Sequence, residues 1–479
     1  MTTTGADALV PAPRSDDAPG TGAPGDTAAD IPVDETAALS APPKPRLRGV
    51  DLARGLAVLG MFAAHIGGVP TLLASDPGTW GGIVHGRSSI LFATLAGVSV
   101  ALMSGRTTPP GDDQIVSARL RLFVRAACLF LIGGLVQYLS TPVAVILEFY
   151  AVLLVLCVPL LRWRPRNLFL LAAAIAVVIP SLRALLVALQ GTNSWLGSGG
   201  ELGVFAVTGM YPVSVWAAFV LTGLGVGRCD LTSARVKRTL VAVGLSLALL
   251  GYGGSWALTQ VFPSIDAANA SGSSSSGPGV PVEPDYVPGT DVNLTGFTCS
   301  DYHDGSYYCT DDSGPAAQGP AAVASGTTSW VSTDGGVSAV PPFTTYLTAD
   351  QFLGTSAHSG TTPEVLGSGG VALAVLGACL ALADALGRRR AGWIIAPLVA
   401  VGAMPLTVYC AHLVGIAVTM HLPGGGYTEG EPGWLAGSWQ LWAIFAGAAL
   451  LVCPLWLRFA GRGPLERLVS WTARRATRP

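Results

Sequence analysis

The chain has 479 residues, 50 % of them hydrophobic and 12 % charged, with a mean hydropathy of +0.52 and a formal net charge of -2. Soluble domains carry about 25 % charged residues, so this composition excludes an ordinary soluble enzyme. The lack of a basic cluster excludes a nucleic-acid partner, and what remains is an all-α polytopic protein whose partner is the lipid bilayer.

Residues 1–44 are rich in Ala, Pro, Asp and Thr without periodicity. They predict a disordered cytoplasmic tail, and they hold no apolar core of the kind a signal peptide needs. Ten apolar stretches follow, near 50–72, 89–105, 117–138, 142–161, 167–188, 209–227, 237–260, 367–386, 392–419 and 437–458. Each suits a bilayer core that about 20 helical residues cross. The predicted organisation is a membrane domain over 45–260 with seven spans, an outer loop over 261–365, three more spans over 366–460 and a basic cytoplasmic tail over 461–479.

Orientation follows from the basic residues. With the N-terminus inside, only Arg87 and Arg183 of the 27 Lys and Arg residues fall outside. Cytoplasmic loops hold the excess of positive charge, so both termini are expected in the cytoplasm of a cell that carries this protein in its plasma membrane. Lys44 and Lys237 are the only lysines, and Ala and Gly abound, which points to a GC-rich bacterial genome.

The first span carries more ionisable groups than its cost in lipid allows without a purpose. Asp51 and Arg54 lie three apart and share a helix face. His65 comes eleven residues after Arg54, about three turns on and on roughly the same face. Later polar groups sort to the outer side: His85 and Arg87 before the second span, Glu148 in the fourth, Arg183 near the end of the fifth, His358 before the eighth and His412 in the ninth. A histidine titrates near neutrality and can take a proton from a hydroxyl or amine, and Glu148 can orient such a ring or stay protonated. The expectation is that His65, His85, Glu148 and His412 line one cavity open to the outside. Each also has a packing role available to it: His412 on a backbone carbonyl, His358 at a helix entrance, Arg183 reaching the headgroups. The glycines in LAGVSVA and GLGVG read as close helix packing.

The outer loop has eleven acidic residues and no Lys or Arg, and SGSSSSGPG within it reads as flexible linker. Cys299 and Cys309 flank an acidic, aromatic segment and are expected to pair as a disulfide outside the cytoplasm. With His303 alone between them they make no standard metal ligand set, and no metal is expected elsewhere.

The first span, RLRGVDLARGLAVLGMFAAHIGGVP, together with HGRSSILFATLAGVSVALMSGR, resembles the transmembrane acyltransferases of the YeiB and heparan-α-glucosaminide N-acetyltransferase type. GMYPVSVWAAFVLTGLGVGR, HSGTTPEVLGSGGVALAVLGACL, PLTVYCAHL and RGPLERL follow in the same order as in those proteins, so the resemblance covers roughly residues 46–470. It implies that an acyl group passes from a cytoplasmic acyl-CoA-type donor to a glycan or other envelope acceptor outside. The RxxDxxRG entrance maps onto Arg48, Asp51, Arg54 and Gly55, which would hold the anionic donor. Arg87, His358 and Arg183 stand where the acceptor would arrive. By loop position His85 corresponds to the glucosaminide branch's catalytic histidine, but the tryptophan that follows it there is missing, and His65 stands where that branch has an asparagine. The base is therefore open between His85 and His65. A transporter of a small or lipid-linked solute is the alternative reading, since ten spans with buried charges also suit that class, and a structural component recruiting partners through its outer loop is a third.

Overall fold

The computed structural model describes residues 46–67, 72, 76–192, 200–261, 297–301, 307–311, 350–422 and 439–477. The expected N-terminal tail and most of the outer loop lie outside the described residues. Contacts divide the chain at Leu47, and Leu47–Pro479 is the compact unit that holds the membrane helices.

The helices are α1 (Arg48–Ile66), α2 (Arg87–Met103), α3 (Asp112–Gln137), α4 (Leu147–Leu156), α5 (Pro165–Thr192), α6 (Val213–Gly227), α7 (Ala234–Ala248), α8 (Gly254–Val261), α9 (Thr362–Arg388), α10 (Ala396–Ala403), α11 (Pro405–Met420), α12 (Trp439–Phe459) and α13 (Pro464–Ala476). A π-helical turn, Leu249–Gly253, makes α7 and α8 one continuous span. Among the described residues, six helices or helix runs are long and apolar enough to cross a membrane, and the bent pair α10–α11 passes the same test only when its two helices are taken together, as a broken span or a re-entrant loop. The chain is an all-α polytopic membrane protein.

The elements depart from the expected stretches in three places. The apolar helices α4 and α6 are shorter than a full crossing; most of α6 is buried among its neighbours, so it needs no lipid-facing length. The expected stretch over 392–419 is two helices bent by 86°. Pro405 cannot continue α10, because it lacks the N–H and its ring clashes with the preceding turn. The first span ends at Ile66, and Gly67 closes it with its N–H on the Ala63 carbonyl.

α1 is the centre of the membrane domain. It packs on α2, α9, α10, α11 and α12, and 72 % of its membrane window is buried, against 22 % for α5, α7–α8 and α12, which form the lipid-facing periphery. Reciprocal glycine contacts bring the helices together. Gly402 of α10 lies on the Asp51 carbonyl while Gly55 of α1 lies on the Leu398 carbonyl, and Gly97 with Gly223 brings α2 and α6 equally close. Such approaches replace the hydrophobic effect, which lipid cancels, with dense packing. At the inner end, Arg228 closes three segments at once, donating to the carbonyls of Ser104 (2.9 Å), Arg106 (2.8 Å) and Leu161 (2.5 Å). Lys237 of α7 is 5 % exposed and is paired with Asp384 of α9.

In the outer loop, β1 (Phe297–Asp301) and β2 (Tyr307–Asp311) form an antiparallel hairpin that places Cys299 opposite Cys309. Opposed residues in such a pair have Cα atoms about 4.5–5.5 Å apart, within the span a disulfide bridges. Non-reduced peptide mapping should therefore recover the two cysteines in one linked peptide, whereas two alkylated thiols would remove the expectation.

Candidate functional site

The N-terminal half of α1 is built around Arg54. Its Nη1 donates to Asp51 Oδ1 (2.8 Å) and to the Gly402 carbonyl (3.1 Å), and its Nη2 to Ser99 Oγ (3.1 Å). One guanidinium thus ties α1 to α2 and α10, which the fixed fork of arginine donors suits. Asp51 is 7 % exposed, so it holds its charge beside a cation rather than alone. Arg48 is exposed at the start of the same helix. Arg125 of α3 lies within electrostatic reach of Arg54 and donates to Met103 Sδ (3.0 Å). Arg48, Arg54 and Arg125 are the cationic groups at this end of the helix and of its neighbour α3.

The C-terminal half of α1 ends in a cluster of four histidines. His65 Nδ1 is 2.9 Å from His412 Nε2, and the two ring planes are 11° apart. His412 Nδ1 donates to the Tyr409 carbonyl of its own helix (2.5 Å), and Phe62 packs on the same ring at 4.5 Å. His358 meets His85 at 5.9 Å, Tyr211 at 5.1 Å and Trp216 at 6.2 Å, ring to ring. His65 lies within electrostatic reach of both His85 and His358. Access is graded: His85 is exposed, His65 and His358 are half-buried, and His412 is buried. Among the described residues, no three His, Cys, Asp or Glu side chains are placed to share a metal ion.

The loop that presents His358 is held by Glu364, a residue without any mark of function in the sequence. Its carboxylate accepts from the backbone N–H of His358 (2.7 Å) and of Gly360 (2.7 Å) and from Ser359 Oγ (3.3 Å). Thr361 caps α9 by accepting from the Glu364 N–H (3.3 Å). The pattern is a Thr-x-x-Glu capping box whose carboxylate reaches further back than usual, and it was legible in HSGTTPE. Arg183 donates to the Ser359 carbonyl and, at 3.5 Å, to that of Thr208, so it fastens this loop to α5. His358 holds a left-handed backbone with φ 65°, a conformation that costs a non-glycine residue about 1–3 kcal/mol and that these contacts offset. Burial first, then the nearby His85 and His65, push its pKa down to about 3, so the ring is neutral at neutral pH. Glu364→Ala removes a buried acceptor from three donors, each bond to a charged group being worth about 1.5–3 kcal/mol. It should speed amide hydrogen exchange over residues 356–361; unchanged exchange would show that the loop stands without it.

Other residues singled out in the sequence lie elsewhere. Arg87 stacks over Tyr252 at 4.8 Å and donates to the Ile83 carbonyl at 3.5 Å. Glu148 lies against Gly133 and Gly134 of α3. Tyr150, two residues on and so about 200° round α4, points to the histidine side, where it donates to the Ser89 carbonyl (3.1 Å). Glu148 itself packs on α3. Glu466 of the RGPLERL segment carried no functional expectation. Its carboxylate accepts from the N–H groups of Leu406 (2.8 Å) and Thr407 (3.1 Å) and from Thr407 Oγ1 (2.5 Å). It fills the exposed donors at the start of α11, the helix that carries His412.

The arrangement offers cationic groups toward the N-terminal end of one helix and imidazoles at its C-terminal end. The chain matches two family models: residues 46–259 match the one described as heparan-alpha-glucosaminide N-acetyltransferase, catalytic. Residues 335–476 match the one described as a protein of unknown function (DUF418). No curated protein matches the chain.

Proposed function

We propose that the chain is a transmembrane acyltransferase of the YeiB/heparan-α-glucosaminide N-acetyltransferase type, a reading its matches over residues 46–259 and 335–476 support, and that it carries an acyl group across the membrane. The donor is a cytoplasmic acyl-CoA-type thioester and the acceptor an extracytoplasmic glycan or envelope component. The observation that carries this reading is that α1 bears both ends of the task. Arg54 stands among cationic groups toward the N-terminal end of the helix and His65 in the histidine cluster at its C-terminal end, about 16 Å further along the axis. Arg48, Arg54 and Arg125 suit the phosphates of such a donor. In the transfer, an imidazole takes the proton of the acceptor's hydroxyl or amine as that atom bonds to the acyl carbon. The carbon–sulfur bond breaks, and the thiolate leaves and is protonated. A general base of this kind contributes about 10²–10⁴ in rate.

The test is incorporation of label from acetyl-CoA, supplied on the cytoplasmic side, into glycan and lipid fractions of membranes containing the protein. Label retained only on the protein or in acetate would count against transfer. The bent pair α10–α11 favours the alternative, since broken helices at mid-membrane are a habit of transporters. Solute uptake in vesicles without thioester consumption would decide for it.

Orientation belongs to the same proposal. With both termini in the cytoplasm, a membrane-impermeant thiol reagent should label a cysteine placed at Ser274 in intact cells and spare one placed at Gly387. Labelling at Gly387 reverses the topology and with it the sidedness of donor and acceptor.

A further inference from the structure

We propose that His65 is the proton acceptor, through its Nε2, and that His412 is a positioning residue that fixes the His65 tautomer. The proposal rests on the acyl-transfer reading and adds which ring does the work and why.

The chain of constraints begins at Tyr409. A carbonyl oxygen only accepts, so His412 Nδ1, 2.5 Å from it, carries the proton. A second proton would bury a charge in a ring that is 2 % exposed, with no carboxylate against it among the described residues. His412 Nε2 therefore presents a lone pair. His65 Nδ1, 2.9 Å away, must donate to it. The ring planes differ by only 11° with centroids 5.2 Å apart, which suits an in-plane N–H···N bond. A neutral His65 then has its proton on Nδ1 and its lone pair on Nε2, at the far side of the ring from His412. This is the form a general base needs, and the neighbour that sets it is a second-layer group of the kind that orients catalytic imidazoles.

His85 has no such support. Among the described residues its ring meets the edge of His358 and makes no hydrogen bond, and it is exposed. Its tautomer and orientation are left to solvent. His412, by contrast, is held by Phe62 at 4.5 Å and by a helix whose first turn Glu466 caps. A base held in one rotamer and one tautomer loses less on reaching the transition state.

The test uses the full-length protein in lipid nanodiscs with ¹⁵N-labelled histidine rings, alongside acetyl-CoA-dependent transfer in membranes. In the wild type the His65 signal, identified by its loss in His65→Gln, should show protonated Nδ1 and unprotonated Nε2. His412→Leu removes the acceptor and should shift that signal to a mixture of tautomers, with transfer falling by about 10²-fold or more. His412→Gln keeps a side-chain oxygen that can accept from His65 Nδ1 and should restore transfer to within about tenfold of wild type. A His65 ring protonated on Nε2 in the wild type overturns the relay whatever the activity. His85→Ala inactive with His65→Gln active overturns the assignment while leaving the acyltransferase reading intact. No transfer by any form would defeat that reading, and the tautomer measurement would still decide the relay.

Discussion

Replacing His65 with alanine should lower acyl transfer by about 10²-fold or more, the usual scale for a lost general base, while the protein still folds. The position is half-buried at the outer end of α1 and is flanked by buried Ala63 and Ile66, so the deletion leaves a wet or collapsible space rather than a sealed core cavity. The variant keeps Arg54 and its bonds to Asp51, Ser99 and Gly402. Donor binding, read as protection from heat by added CoA, should therefore stay close to wild type even as turnover falls. That split separates a lost proton acceptor from a damaged scaffold, because loss of an interaction made only in the transition state lowers turnover and not binding. Arg54→Ala should give the opposite pattern, with weak donor binding first. If His65→Ala turns over like the wild type, no base acts at this ring.

Gly402→Val should be the most damaging single change in the membrane domain. A side chain at this position would be driven into the Asp51 carbonyl and the Gly55 N–H at the crossing of α1 and α10. Those atoms are helix backbone and cannot swing aside, so α10 has to retreat. Overpacking a tight core costs about 1–3 kcal/mol. The retreat also carries the Gly402 carbonyl away from Arg54, a bond from a charged donor worth about 1.5–3 kcal/mol. The sum, about 2.5–6 kcal/mol, is a large share of the whole stability of an ordinary domain, about 5–15 kcal/mol, so the variant should lose much of its monodisperse peak in detergent chromatography. Gly447→Val in α12 is the control, since no atom lies within 4 Å of a side chain added there, and it should behave as wild type. Equal damage from both would mean that helix propensity rather than the crossing sets the effect.

The sequence by itself determined the class of the protein, since a charged fraction of 12 % and long apolar runs leave only lipid as the solvent for most of the surface. It also singled out α1 as the candidate working helix, because Asp51, Arg54 and His65 are costly in a membrane span. The ordered motifs pointed to the family, and the glycines of LAGVSVA and GLGVG to close packing. What it could not supply was partnership across the chain. His65 and His412 are 347 positions apart, and no periodicity relates them; only the packing of α11 against α1 sets their nitrogens at bonding distance. Depth in the membrane sorted Glu148 with the histidines, yet depth leaves rotation about the helix axis free, and the structure turns Glu148 toward Gly133 and Gly134. Arg183 read as a group facing the acceptor because its partners, the carbonyls of Ser359 and Thr208, are backbone atoms that no residue type announces. The stretch over 392–419 read as one span, and the structure bends it by 86° before α11, whose first turn Glu466 caps from the far end of the chain. Local chemistry is written residue by residue; which groups share a site is decided by helix rotation and crossing, and these are properties of the packed whole.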